Sequence, residues 1–408
     1  MEDFATIKGM YDNHVLPTYA RFPVAFTMGS GCHLWDSEGK EYIDFASGIG
    51  VNSVGYSHPT WVEAVNTQVR TLAHTSNLYY TEPGARVAEL LCRLSGMKGV
   101  FFSNSGAEAN EGLIKAARKY SNDKYGSSVN SDSTSENVLE RATIITLRDS
   151  FHGRTITTLA ATGQERFHNH FHPFTPGFRH VPAGDLTALE AQGNDVCALL
   201  IEPIQGEGGV VPLDKEYVQK AAELCRKRDW LLLMDEVQTG IGRTGDWFGF
   251  QGIDIIPDGL SFAKGIAGGL PLGGFMVGDK LVKTLGAGDH ATTYGGNLVC
   301  CAAALATLQI LETVLPSVNE KGNYIREKIQ AMELPQVTEV RGKGLMLGVK
   351  LEGVPPATIN TKLLEAGLVA LTAGTDILRF LPPLVISMED INAGLEIFEK
   401  VLRENAAK

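Results

Sequence analysis

The chain has 408 residues, 44% of them apolar and 20% charged, a balance that fits a globular protein long enough to bury a large core without disulfide or metal staples. Its formal net charge of −11 argues against a nucleic-acid backbone or an anionic membrane as the main partner, while leaving room for small anions in a basic pocket. The six cysteines include no Cys-x-x-Cys pair, the N-terminus carries no leader pattern, and no apolar run approaches the span of a membrane; a cytoplasmic protein with free thiols and no bound metal is expected.

In chain order, the first pattern is a strand pair, HLWD from His33 and EYIDF from Glu41. It lies in a segment, residues 1–55, expected to pack with a smaller domain at the far end of the chain. From about Thr60 to Thr293, short apolar runs alternate with amphipathic stretches. VFF at Val100, ATIITL at Ala142, VCALLIEP at Val196 and WLLLMDEV at Trp230 read as buried strands, and AEANEGLIKAARKY sets Leu113, Ala116, Ala117 and Tyr120 at helical spacing. Such alternation predicts an α/β large domain over residues 56–300, a mostly parallel sheet covered by helices on both faces. One segment stands apart: Ser121–Glu136 is polar, nearly free of branched apolar residues, and reads as a surface loop or disordered insertion with no assigned role. From about Ala302 come helices, a strand pair (RGKGLMLGVKL, then ILRFLPP) and a last helix. That helix opens at Ser387 with Asp390 three residues on, and repeats Ile391, Leu395, Phe398 and Leu402 on one face. Residues 301–408 are therefore expected to form a small α+β domain.

Parallel sheets bind ligands beyond the carboxyl ends of their strands, so the residues after each run are the candidates. Ser105 and Glu108 form a Ser-x-x-Glu helix head, whose free amides at Gly106 and Ala107 suit an anion or simply a capped helix. Phe151 ends a strand where an aromatic can stack on a planar ring, and Arg154 beside it can grip a carboxylate, although the piece also reads as an ordinary turn. In IEPIQGEGG, glycines would let a ligand approach the backbone and Glu207 would project from the loop. Asp235 closes a fully apolar strand, a costly place for a carboxylate unless a cation meets it; a protonated pyridine nitrogen is one such cation, and helix capping is the plainer use. Lys264, after another apolar run, gains nucleophilic character if partly desolvated, whereas a solvated loop would leave it inert. Gly240–Gly245 matches a dinucleotide fingerprint, but the following DWFGFQGIDIIPDG has no helical period, which weakens a nicotinamide oxidoreductase reading. His168, His170 and His172 alternate without a cysteine or carboxylate set nearby and read as an exposed loop, not zinc ligands.

Taken in order, SNSGAEAN, SFHGRT, IEPIQGEGG, MDEVQTGIGRTG, SFAKGIAGGLPLGG and HATTYGGN resemble the class III aminotransferases, pyridoxal-phosphate enzymes with the aspartate aminotransferase-like fold. The resemblance covers nearly the whole chain. It implies that Lys264 holds the cofactor and later shuttles a proton, that Asp235 pairs with the ring nitrogen, that Phe151 and Val237 sandwich the ring, and that Gln238 contacts its hydroxyl. It implies that Ser105, Gly106 and Ala107 cradle the phosphate, and that Thr293 reaches the phosphate of the neighbouring subunit in a homodimer. Arg379 would bind a substrate carboxylate, Glu207 would pair with Arg379 when the other substrate is present, and Arg154 would be a second carboxylate anchor. The implied reaction joins an amino donor to 2-oxoglutarate. N-acetylornithine is the favoured donor, giving N-acetylglutamate semialdehyde and glutamate in arginine biosynthesis; related enzymes of ornithine carry a tyrosine where this chain has Gly48. Succinylornithine, ornithine, succinyl-diaminopimelate, acyl-lysine and 4-aminobutyrate remain as alternative donors. No residue of the family pattern matches the Ser121–Glu136 insertion.

Overall fold

Seven strands form the central sheet of the computed structural model, which describes residues 2–126 and 141–405. Their spatial order is Gly99–Ser103, Gly273–Val277, Gly259–Phe262, Leu231–Asp235, Val196–Ile201, Thr143–Leu147 and Phe178–Val181. Only Gly273–Val277 runs antiparallel to its neighbours; the other six are mutually parallel. Thr143–Leu147, Val196–Ile201 and Leu231–Asp235 are buried along their whole length. A parallel sheet covered on both faces requires this, and it explains why these strands read as unbroken apolar runs with no alternation. The α/β reading therefore matches the observed architecture.

The helix after the first strand, Gly106–Tyr125, buries Leu113, Ala116 and Ala117 as their spacing predicts. It also corrects one expectation: Ser121–Tyr125, assigned to a loop, complete this helix. The reason is local. Ser121 is buried and donates its hydroxyl to Arg141 O at 2.6 Å, and Lys119 pairs with Asp123 one turn on, so polar residues serve as helix and anchor. Residues 127–136 of the expected insertion lie outside the described residues.

The N-terminal strands Phe26–Ser30, His33–Asp36 and Glu41–Asp44 continue into Leu368–Val369 from the other end of the chain. A second sheet orders Val337–Lys343, Met346–Leu351, Ile377–Phe380 and Leu371–Ala373. RGKGLMLGVKL is thus itself two antiparallel strands. They turn at Gly344, whose φ of +56 and whose hypothetical Cβ, 2.6 Å from Arg243 O, both demand glycine. The last helix, Met388–Glu404, starts as read, with Ser387 accepting from Asp390 N and Ile391, Leu395, Phe398 and Leu402 buried. Against the expectation that no apolar run approaches a membrane span, the 34-residue helix Leu298–Ala331 is long and apolar enough to cross one by composition. Its Cys301, Ala304, Leu308, Leu311, Val318 and Ile325 lie in the core instead, and it runs across the expected boundary at residue 301. All six cysteines are free.

Candidate active site

Strand register brings the two central candidates together. Asp235 is the last residue of its strand and pairs in parallel with Ser261, three residues before Lys264. Both Asp235 and Lys264 line one cleft of about 420 Å³, with Ser105, Gly106, Ala107, Phe151, Arg154, Val237 and Gln238 on its walls. That volume suits a small planar ligand. Asp235 is 3% exposed, yet it is not waiting for a cation alone. Its Oδ2 lies 2.8 Å from His152 Nδ1 and accepts from Asn110 Nδ2 at 2.7 Å, and its Oδ1 accepts from Val237 N at 3.0 Å. Burial alone would raise its pKa; the hydrogen bond and charge of His152, then the amide of Val237 and Asn110, outweigh burial and hold the carboxyl below its ordinary range. A carboxylate held toward its ionised form in the cleft is what a protonated ring nitrogen requires.

At the opposite wall the head of helix Gly106–Tyr125 is capped as the sequence suggests. Ser105 Oγ accepts from Glu108 N, and Glu108 Oε2 accepts from Asn104 N at 3.0 Å. The amides of Gly106 and Ala107 are left free among the described residues, facing a cleft that an anion can enter. Glycine at 106 is forced by packing: a Cβ there would sit 2.7 Å from Val237 Cγ1. Phe151 and Val237 therefore lie in the same cleft as the phosphate-sized helix head, an arrangement that accommodates a ring bearing a phosphate arm.

Arg379 is 2% exposed, and its Nη1 donates to Glu207 Oε1 at 2.6 Å and to Gln238 Oε1 at 3.2 Å. Burial works against ionised Glu207, but the Arg379 charge and hydrogen bond hold its pKa below the ordinary value. The two residues lie 172 positions apart. Arg154 stays exposed, its guanidinium 5.5 Å from the Phe151 ring and 3.8 Å from Phe167. Thr293 is exposed and is not among the residues of this cleft. His168 is half-buried, its Nε2 within 3.0 Å of the Leu159 carbonyl and 2.8 Å of the Thr162 carbonyl, while His170 and His172 are exposed as read.

Sequence reasoning missed three polar residues here. Glu202 accepts from Phe151 N at 3.0 Å and Gly206 N at 3.4 Å, orienting both neighbouring loops; burial and then the Asp235 charge push its pKa well up. Asn110 and His152, also on the cleft wall, both engage Asp235 Oδ2. Asn110 was findable, since it stands one helical turn before Leu113 and so on the buried face. The Gly240–Gly245 segment opens no helix after its strand and instead wraps Arg243, 2% exposed, whose Nη1 donates to Leu345 O at 3.0 Å and Pro382 O at 2.6 Å. The fingerprint match is thus a turn that clasps the C-terminal sheet, and the nicotinamide reading falls.

Lys264 adopts φ +45, a strained conformation for a residue with a Cβ. Its amine pKa is lowered, first by burial, against the opposing pull of Glu207, with the Arg379 charge adding to the decrease. In the cofactor-free protein the native state then binds fewer protons than the unfolded state between this lowered value and the free-lysine value of about 10.4, so stability rises with pH across that window. Lys264→Met removes this penalty. Cofactor-free Lys264→Met is expected to unfold at higher urea than cofactor-free wild type at pH 7, with the gap closing toward pH 10. A gap that stays constant with pH would show that the amine is not desolvated.

Comparison with known proteins decides the family. Residues 15–402 match the family model of aminotransferase class III. The chain belongs to the class III aminotransferases. It is 51% identical over 402 residues to the acetylornithine aminotransferase of Haemophilus ducreyi, covering 98% of each chain. It is 43% identical over 394 residues to that of Methanocaldococcus jannaschii, covering 95% of this chain and 96% of the relative. Among solved structures, the ornithine aminotransferase of Toxoplasma gondii superposes with TM-score 0.92 at 30% identity, covering 99% and 96%. The acetylornithine aminotransferase of Elizabethkingia anophelis gives 0.86 at 31%, covering 99% and 100%. This chain is a pyridoxal-phosphate-dependent aminotransferase, and its substrates are an amino donor and a keto acid.

Proposed function

We propose that the enzyme moves the terminal amino group of N-acetylornithine to 2-oxoglutarate, giving N-acetylglutamate semialdehyde and glutamate. The observation that carries the reading is a single cleft holding an amine (Lys264), an ionised carboxylate (Asp235) and, against Gln238 on its wall, an arginine already occupied by a glutamate (Arg379 with Glu207). The names of the relatives support the donor.

When bound, pyridoxal phosphate supplies the electron sink for the carbon that gives up its proton. Lys264 would hold it through Nζ and would carry a proton at that nitrogen, a role its lowered pKa suits. Asp235, kept ionised by His152, Val237 and Asn110, would hold a proton on the ring nitrogen. Ser105, Gly106 and Ala107 would hold the phosphate, Phe151 and Val237 would flank the ring, and Gln238 would meet its hydroxyl. Arg379 and Arg154 take substrate carboxylates. Glu207 holds Arg379 while the donor is bound and yields it to the dicarboxylate keto acid, so one pocket serves both half-reactions.

Thr293, exposed in the single chain, serves the phosphate of a second copy, and the active form is a homodimer. The adjacent Tyr294 and, next to Asn77 that donates to Thr292 O and Gly295 O, Leu78 are also exposed, at 64% and 88%, which fits a surface covered in such a pair. Residues 1–55, 56–300 and 301–408 are the proposed units of each subunit.

The competing donor is free ornithine, the substrate named for several structural neighbours. Gly48 does not decide between them: it sits at φ +64, a conformation that itself explains glycine, while Val51 is the member of this turn that lines the cleft. A donor panel at fixed 2-oxoglutarate does decide. N-acetylornithine is expected to exceed ornithine and 4-aminobutyrate in kcat/KM by about tenfold or more, and equal efficiency with ornithine would overturn the assignment.

A further inference from the structure

Outside the cleft, three side chains of different chemistry converge where the N-terminal sheet meets the last helix. Cys32 and His33 sit at the start of strand His33–Asp36, and Asp390 lies in the first turn of helix Met388–Glu404. The Cys32 Sγ, one imidazole nitrogen of His33 and one carboxylate oxygen of Asp390 all lie within 4.8 Å of one another. His33 Nε2 is 3.0 Å from Asp390 Oδ1, and Cys32, 3% exposed, has its Sγ within 4.8 Å of the same carboxylate. The other nitrogen, His33 Nδ1, is 3.0 Å from Glu41 Oε1 on the adjacent strand. Glu41 is close enough to pair with that nitrogen but lacks hydrogen-bond geometry there; turned onto it, the carboxylate would fix the tautomer and leave the other nitrogen as a ligand, the usual support of a metal-bound histidine.

We infer that Cys32, His33 and Asp390 form a site for a zinc-type divalent cation, with Glu41 as the orienting carboxylate and water in the fourth position. The donors suit it: thiolate, imidazole and carboxylate together favour zinc over the hard cations, which prefer all-oxygen sets. Zinc bonds of about 2.0–2.3 Å imply ligand-to-ligand edges of roughly 3.3–3.8 Å; the 3.0 Å edge between His33 Nε2 and Asp390 Oδ1 has to open slightly, and the edges to Cys32 Sγ, at most 4.8 Å, have to close by up to about 1 Å. Side-chain rotation achieves this, since His33 and Asp390 keep 28% and 24% of their side chains exposed. The cation would cross-link the first strands to the last helix, and it stands apart from Lys264 and the residues of its cleft. The sequence hid the site because Asp390 follows His33 by 357 positions.

The test uses the holoenzyme, stripped with chelator, dialysed against zinc and measured for metal content and thermal midpoint. About one zinc per chain and a raised midpoint are expected. Cys32→Ser and Asp390→Asn should each weaken binding more than tenfold and abolish the rise. Glu41→Gln should weaken binding by roughly 10- to 100-fold with the three ligands intact. Cys92→Ser, which alters a half-buried thiol elsewhere, should change nothing. Failure to retain zinc in the wild type, or full retention in both Cys32→Ser and Asp390→Asn, would mean that the cluster is a hydrogen-bond network only and would overturn the proposal.

Discussion

Lys264→Ala is expected to lower kcat in both half-reactions by at least about 10²–10⁴-fold, the share that a positioned proton carrier contributes. The expectation rests on geometry before pKa. Lys264 enters the cleft from the loop after strand Gly259–Phe262, beside the strand that ends in Asp235, so its amine works on the same space that Asp235 polarises. No neighbour is placed to replace it. On the cleft wall, His152 directs its Nδ1 to Asp235 Oδ2, and Glu202 is committed to the amides of Phe151 and Gly206. The guanidinium of Arg154 does not deprotonate at neutral pH. The measurement is single-turnover kinetics of each half-reaction, with cofactor content checked separately. Removing the butylamine stem leaves a gap open to the cleft, so a small added amine should restore part of the rate. Hydride reduction of the wild type should fix the cofactor's mass on the peptide bearing Lys264 and on no other. A variant within tenfold of wild type, or a label elsewhere, would remove the amine from its assigned role.

How much of this was legible depended on whether the cause was local. Whole-length burial of the parallel strands wrote itself as apolar runs, and their ends delivered Ser105, Phe151, Asp235 and Lys264 in order. The caps at Ser105 and Ser387 were readable because their hydrogen bonds close within three residues. Side-chain partners across the fold were not. Nothing near Arg379 announces Glu207, and nothing near Arg243 announces the carbonyls of Leu345 and Pro382. Glu236 shows the same blindness: beside Asp235 in the sequence, it faces away to accept from Gly249 N at 2.9 Å and Phe250 N at 2.8 Å, and burial raises its pKa to about 7. Two adjacent carboxylates thus differ in purpose because Glu236, one residue past the strand that Asp235 ends, turns to the amides of Gly249 and Phe250. Ser121–Tyr125 misled for the converse reason, since their composition is that of a loop while a buried hydroxyl and an i,i+4 ion pair carry the helix through them.

Arg379→Lys is expected to reduce kcat/KM for 2-oxoglutarate by roughly 30- to 5,000-fold, the equivalent of about 2–5 kcal/mol for truncating one partner of a buried charge pair. Arg379 has donors to spare. Only Nη1 is engaged in the structure, by Glu207 and Gln238, and its Nε has no partner among the described residues. A planar carboxylate can therefore take a two-point grip that Glu207 does not use, and lysine, with one compact ammonium, cannot reproduce the fork. The amino-donor half-reaction should fall by less, because there the lysine needs only to neutralise Glu207. Glu207→Gln reverses the asymmetry. With the counter-charge gone, Arg379 stays open to carboxylates, so the keto-acid half-reaction should hold within a few-fold of wild type while the donor half-reaction weakens and dicarboxylic amino acids compete with the donor. Separate single-turnover measurements with donor and with keto acid read both predictions. If Arg379→Lys slowed the two half-reactions equally, or Glu207→Gln left both unchanged, the pair would be a structural ion pair and substrate exchange would have to be controlled by other residues of the cleft.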